Sequence, residues 1–270
     1  MSGEIAFANT ALESFAALVT FVLLFACIAK IKMQRGIKHV TSKEAKRNTL
    51  DYILIIWLVI HMIVLTADVL SWTAMDSGKN EVWLLFMLNL TFTCLSLECM
   101  VYTYYVKETI YQHEKIENTY VYLVMLSTVI AIILWITSDI SGKFYYLDTQ
   151  GNYTQGSIYW LCQFYCIIVM CGNIVILLKH RKALVRHDVL SLLMYGLIPI
   201  ASIPAQMLWK STTFNLATTL ALIYICISVH MAQYDRIVEQ EKLLIQQEHE
   251  LSMNQMQMMI AQIQPHFLYN

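Results

Sequence analysis

Residues 50–72 read LDYILIIWLVIHMIVLTADVLSW, and this stretch decides the fold. Only Asp51, His61 and Asp68 interrupt an otherwise apolar run, and about 20 such residues cross a bilayer as a helix. Working outward, six further stretches meet the same test, at 7–29, 82–105, 119–138, 158–178, 189–209 and 212–231. Composition agrees: 58% of the residues are hydrophobic, 14% are charged and the mean hydropathy is +0.54. A soluble domain carries about 25% charge and about 45–50% apolar residues. With three prolines and eight glycines in 270 residues, little interrupts helix formation. The fold expected is an all-α integral membrane protein with a seven-transmembrane helix bundle over residues 1–231.

The first stretch does not read as an ordinary cleaved signal peptide, because no Lys or Arg precedes it, Glu4 and Glu13 sit at its start, and its run is too long. All seven cysteines (Cys27, Cys94, Cys99, Cys162, Cys166, Cys171 and Cys226) fall within apolar runs. No C-x-x-C pair occurs, so neither a disulfide framework nor a metal site is expected, and the thiols read as small packing residues.

Basic residues set the orientation. Lys30, Lys32, Arg35, Lys38, Lys43, Lys46 and Arg47 follow the first stretch; Lys107 and Lys115 follow the third; Lys179, Arg181, Lys182 and Arg186 follow the fifth. Arg236 and Lys242 lie beyond the seventh, which leaves Lys79, Lys143 and Lys210 alone on the opposite side. The asymmetry places the N-terminus outside and the C-terminus in the cytoplasm of a multi-pass cell-membrane protein. On the outer side, residues 139–157 form the one long connection, and Tyr145, Tyr146 and Leu147 followed by Asp148 to Gly151 suggest a small hairpin. Asn152 begins a glycosylation sequon, which matters only in a secretory-pathway host.

After His230 the texture changes. Residues 232–264 are polar, rich in Gln and free of Gly, which suits one helix about 50 Å long. Ile237, Leu244, Leu251 and Met258 recur every seven residues, with Val238, Ile245 and Met259 beside them. The complementary positions Glu241, Glu248 and Gln255 are polar, so a weak, adjustable parallel coiled coil is expected, making a homodimer through 232–264. A helix lying on the membrane surface is disfavoured, because Asp235, Glu239, Glu241, Glu248 and Glu250 outnumber Arg236 and Lys242 and anionic lipid repels them.

Residues 262–270, QIQPHFLYN, carry the chemistry. The run resembles the histidine box of LytS-type sensor histidine kinases, Q-I-x-P-H-F-L-[YF]-N. The resemblance implies that His266 is the residue phosphorylated from ATP with Mg, and that the phosphoryl group passes to a cytosolic response regulator of the LytTR type. Pro265, Phe267, Leu268 and Asn270 match the motif around it. The residue types suit the task. An imidazole with a pKa of about 6.5 keeps a free lone pair near neutrality. Pro265 donates no backbone hydrogen bond and is expected to kink the helix and expose the ring, while Phe267 and Leu268 anchor the segment in a dimer core. No acid follows His266, so a base adjacent in sequence is absent. Nor does any phosphate-cradling glycine loop occur in residues 1–270. The domain organisation expected is a sensor domain at 1–231, a coiled-coil linker at 232–261 and the start of a kinase domain at 262–270. On this reading the chain is a phosphoacceptor whose ATP-binding domain lies elsewhere, either because it is a fragment or because it is phosphorylated in trans.

The seven-helix part looks like the seven-transmembrane sensor regions fused to bacterial histidine kinases and diguanylate cyclases, and the segment from Phe144 to Gly156 is similar to theirs. Polar groups at membrane depth are costly and therefore suggestive. Glu13, Asp68, Gln206 and Lys210 are expected near Trp72, Trp83 and Trp209, as an outward-facing pocket for an unknown small ligand or as interfacial anchoring. His61 and Glu98 lie deeper and read first as a helix-to-helix hydrogen bond. Gly196, Pro199 and Pro204 fall in GLIPIASIP (196–204), where the two prolines are expected to kink the helix and act as a hinge toward residues 232–264. The competing readings are a seven-helix receptor with no kinase activity of its own and a small transporter with a helical tail. A cyclase output is disfavoured because the histidine box stands where a GGDEF-type motif belongs. Nothing in the charge pattern points to nucleic acid.

Overall fold

The computed structural model describes residues 3–35, 42–77, 81–148, 153–209 and 213–268. Among them the elements run α1 (Gly3–Arg35), α2 (Ser42–Ser77), α3 (Glu81–Tyr111), α4 (Thr119–Ile136), the single turn α5 (Ser138–Ser141), β1 (Tyr145–Leu147), β2 (Tyr153–Gln155), α6 (Trp160–His180), α7 (Arg186–Trp209) and α8 (Thr213–Leu268). Seven of these helices are long and apolar enough to cross a membrane, over Phe7–Lys32, Thr49–Met75, Glu81–Tyr111, Thr119–Ile136, Trp160–His180, Arg186–Gln206 and Thr213–Met231. These seven correspond one for one to the stretches read from the sequence. The chain divides into two compact units, Met1–Cys226 and Ile227–Asn270.

In the first unit α2 packs against α1 and α3, and α3 also meets α4 and α6. Polarity on α1 is inverted relative to a soluble helix. Its buried face holds Asn9, Glu13, Ala16, Thr20 and Cys27, while Phe7, Phe15, Leu18, Phe21 and Phe25 point outward and are exposed. Water penalises an apolar surface of that extent, whereas hydrocarbon is its natural solvent and polar groups must then be satisfied inside. The bundle meets that demand locally. Hydroxyls of Thr20, Thr91, Thr103, Thr109 and Thr128 donate to the carbonyl four residues earlier, at 2.7–3.0 Å.

The connection between α4 and α6 forms the expected hairpin. Strands β1 and β2 pair antiparallel, with Tyr145 opposite Gln155, Tyr146 opposite Thr154 and Leu147 opposite Tyr153. The turn α5 ends on Gly142 in the left-handed region at φ 58°, its N–H bonded to Ser138 O. Ser138 Oγ serves both backbone groups of Tyr145, accepting from its N–H and donating to its carbonyl, each at 3.0 Å. Tyr145 is fully buried, stacked on Phe92 with ring centroids 5.2 Å apart, and its hydroxyl donates to Asn89. Gly156 is required here, since a Cβ at that position would stand 2.1 Å from Lys143 O. The sequon at Asn152 lies outside the described residues.

All seven cysteines are free thiols, and all but Cys171 are buried. In the second unit, α8 presents Leu243, Leu244, Ile245, Leu251, Met258, Met259 and Ile260 as exposed side chains. Helix α8 continues through Pro265 and His266 to Leu268, with no break at the proline.

Candidate functional site

Two polar clusters sit inside the first unit. The one farther along α2 is built on Asp68. Asn215 of α8 donates from Nδ2 to Glu13 Oε1 of α1 at 3.0 Å and to Asp68 Oδ2 of α2 at 2.8 Å. One amide nitrogen thus holds two carboxyls and ties three helices. Glu13 is fully buried, and its carboxyl also bonds that of Asp68. Ser71 Oγ donates to the Asp68 carbonyl at 2.8 Å and lies 3.4 Å from its carboxyl.

Seven residues earlier on α2, on the same helical face, His61 centres the second cluster. Its Nδ1 is 3.1 Å from Glu98 Oε1 of α3, and both side chains are closed off from solvent. Its Nε2 is 2.9 Å from Thr219 Oγ1 of α8. Thr219 commits its own hydroxyl hydrogen to Asn215 O at 2.8 Å, so its oxygen is left to accept and His61 Nε2 is the donor. Glu98 Oε1 also receives Tyr195 OH of α7 at 2.7 Å and Trp57 Nε1 of α2 at 3.3 Å. The rings of Trp57, Tyr102 and Tyr195 pack together with centroids 4.5–5.6 Å apart, and Tyr102 OH donates to Leu192 O of α7 at 2.8 Å. The helix-to-helix hydrogen bond expected of His61 and Glu98 is replaced by close approach: His61 Nδ1 makes no hydrogen bond, and the imidazole bonds Thr219 of α8 instead. Both residues belong to a larger polar core spanning α2, α3, α7 and α8. Buried and multiply bonded, such a core fixes the register of the helices it joins.

The two clusters connect through Asn215. Its side chain binds the carboxyl pair, while its carbonyl accepts from Thr218 and Thr219 at 2.8 Å each. Any rotation of α8 at Asn215 is therefore felt at both. Sequence reasoning singled out Glu13, Asp68, His61 and Glu98 by charge, but missed Asn215, Thr219 and Tyr195. An Asn four residues before a Thr in an apolar helix is the signal that marks that face.

Of the other expected pocket residues, Trp72 is half-buried one turn beyond Asp68 on α2, with its indole beside the Asp68 carboxyl. Gln206 is half-buried, and its Oε1 is enclosed without a hydrogen-bond partner. Trp83 is exposed and packs on Phe86. The side chain of Trp209, and Lys210 altogether, lie outside the described residues. A groove of ≈ 350 Å³ opens instead on an apolar face, lined by Leu24, Met62, Ile63, Leu70 and Met87 among others. Helix α7 runs on through Pro199, which is buried, and Pro204, which is exposed. Near α1 and α2, Lys30 and Asp51 form a buried ion pair.

Among the described residues no group of three or more His, Cys, Asp or Glu side chains could hold a metal ion. The side chains of Pro265, His266, Phe267 and Leu268, and Asn270 altogether, lie outside the described residues. No family model matches the chain, and no curated protein matches it.

Proposed function

We propose that this chain is the membrane sensor and phosphoacceptor part of a LytS-type sensor histidine kinase in a two-component system. One observation carries the reading above the rest: the run QIQPHFLYN at 262–270, which follows seven apolar helices and a long polar helix. In this reading the seven helices span the cell membrane with the N-terminus outside, as the distribution of Lys and Arg supports. Residues 232–264 pair with those of a second copy. The exposed Leu244, Leu251 and Met258 at seven-residue spacing support that pairing. His266 accepts a phosphoryl group and hands it to a cytosolic response regulator, of the LytTR type if the resemblance holds throughout. ATP and Mg are supplied by a nucleotide-binding domain other than residues 1–270. The stimulus is a small ligand reaching the carboxyl pair of Glu13 and Asp68, and its effect passes along α7, hinged at Pro199 and Pro204, and α8.

The test is phosphoryl transfer from radiolabelled ATP in membranes containing this chain together with its nucleotide-binding domain. Wild-type protein is expected to carry acid-labile label, and His266→Gln to carry none. Labelling retained in His266→Gln refutes the assignment.

A further inference from the structure

Side-chain hydrogen bonds join α1 to α8 near both ends of their apolar spans. At one end Asn215 donates to Glu13 at 3.0 Å. At the other the thiols of Cys27 and Cys226 are hydrogen-bonded to each other. Both are free thiols, 5% and 1% exposed. A second thiol pair, Cys99 of α3 with Cys166 of α6, is also hydrogen-bonded, but it is packed with Val124 and Val169 in an apolar cluster. Thiols buried in apolar surroundings are inert, whereas reactive ones stand beside charge. Cys27 has that neighbour. Lys30 follows it by one turn of α1, forms a buried ion pair with Asp51 of α2, and acts on the thiol together with that carboxylate. Position separates the two pairs as well. Cys226 closes the first unit, and α8 runs on from it as the polar helix, whereas α3 and α6 both end within that unit.

We propose that Cys27 and Cys226 are a redox modification site, joined as a disulfide by a lipid-soluble quinone. Two S–H bonds break and one S–S bond forms. The two electrons and two protons pass to the quinone, which leaves as the quinol. The surroundings select this oxidant. Both sulfurs lie within the apolar spans Phe7–Lys32 and Thr213–Met231 and are nearly closed to solvent. A charged peptide disulfide such as oxidised glutathione is therefore kept out, while a quinone dissolves in the hydrocarbon around α1. On the orientation proposed above this end of the spans faces the cytoplasm, where thiols are kept reduced, so the bond is a signal and not a permanent staple. Once formed, it replaces a weak thiol contact by a covalent tie between α1 and α8, beside the ion pair that already holds α1 to α2. At Cys226, α8 then no longer turns or slides independently of α1. Formation of the bond stands by itself; its effect on His266 rests on the kinase reading above.

The experiment takes the full chain in lipid nanodiscs, reduces it with dithiothreitol, removes the reductant and adds decylubiquinone, whose fully substituted ring disfavours thiol addition. Maleimide labelling after denaturation, read by mass, is expected to find two fewer thiols than in the reduced chain. Proteolysis is expected to release the Cys27 peptide linked to the Cys226 peptide, and dithiothreitol to separate them by exchange. Cys27→Ser and Cys226→Ser are each expected to lose the linkage, and Cys99→Ser to keep it. The proposal is overturned if wild type forms no linkage, if Cys99 joins Cys166 alone, or if oxidised glutathione forms the bond and the quinone does not. These readouts are chemical and hold whether or not His266 is phosphorylated, so failure here and failure of the kinase reading are separable. In membranes that label His266, the quinone is expected to change the label by about twofold or more in wild type and not in Cys27→Ser. Labelling that does not distinguish the two overturns the coupling of this bond to output.

Discussion

His61 Nδ1 lies 3.1 Å from Glu98 Oε1, with the two side chains only 0% and 2% exposed. Glu98 is the meeting point of three residues, since Trp57 and Tyr195 donate to the same oxygen. Removing the shared acceptor of a buried polar cluster strands its donors, at a cost of about 1–3 kcal/mol each. Glu98→Ala is therefore expected to destabilise the bundle by about that amount in denaturant or thermal unfolding. The double variant His61→Ala with Glu98→Ala is expected to fall short of the sum of the single losses by about 1–3 kcal/mol. Strict additivity would show that the 3.1 Å contact carries no coupling.

The hairpin rests on Tyr145. Its hydroxyl bonds Asn89 and its ring stacks on Phe92, so Tyr145→Phe is expected to cost about 1 kcal/mol, the net worth of one hydrogen bond. Tyr145→Ala, which also empties a buried ring site, is expected to cost about 3–5 kcal/mol. Gly156→Ala acts by another route, through a Cβ that would stand 2.1 Å from Lys143 O. That variant is expected to speed limited proteolysis at 142–157 with little change in global unfolding. Protection equal to wild type would show that the turn accommodates a side chain.

How much of this was legible in the sequence depended on whether the signal was summed or paired. Spans were legible because apolar length accumulates along the chain, as in 50–72. Their ends were less so. The third stretch reads 82–105, yet α3 continues to Tyr111, because apolar length marks the part that can span and not where the helix stops. Pairing leaves no trace in one sequence: Glu13 and Asn215 are 202 residues apart, and an uncharged amide in an apolar run draws no attention. The hairpin could be anticipated from its aromatic strand and polar turn, but the double bond from Ser138 to Tyr145 could not. Trp72 follows Asp68 by one turn and does stand beside it, whereas Gln206 was placed by depth alone, and depth does not fix which face of a helix a residue occupies.

Orientation is open to direct measurement. In a protein whose seven native cysteines are replaced by serine or alanine, a single Cys at Lys115 or Lys182 is expected to react with a membrane-impermeant maleimide only after lysis. A single Cys at Lys143 is expected to react in intact cells. The reverse pattern would turn the chain over and remove His266 from the compartment where a response regulator works.

Leu244, Leu251 and Met258 are exposed at seven-residue spacing along α8. If a second copy covers this stripe, Leu244→Asn together with Leu251→Asn is expected to raise the dimer dissociation constant at least tenfold, about 1.4 kcal/mol or more. Crosslinking yield in membranes and mass measurement in detergent both read this out. An unchanged association state would assign the stripe to another partner.

Pro199 provides the sharpest test of how the two halves of the mechanism join. Proline has no N–H, so the carbonyl four residues earlier loses its helical donor, and that residue is Tyr195, whose hydroxyl binds Glu98. The same residue therefore carries a freed backbone acceptor and a buried bond to the polar core. Pro204 is exposed and frees the carbonyl of Ile200, away from that core. Pro199→Ala restores one hydrogen bond of about 1 kcal/mol, enough to shift a two-state equilibrium about fivefold. It is expected to change signalling output by a comparable factor, measured as phosphoryl label on His266 or as expression from a regulated promoter. Pro204→Ala is expected to change it less. Output unaltered in the double Pro199→Ala, Pro204→Ala variant would mean that α7 transmits as a rigid rod, and that the route from the carboxyl pair to residues 232–264 runs through α8 alone.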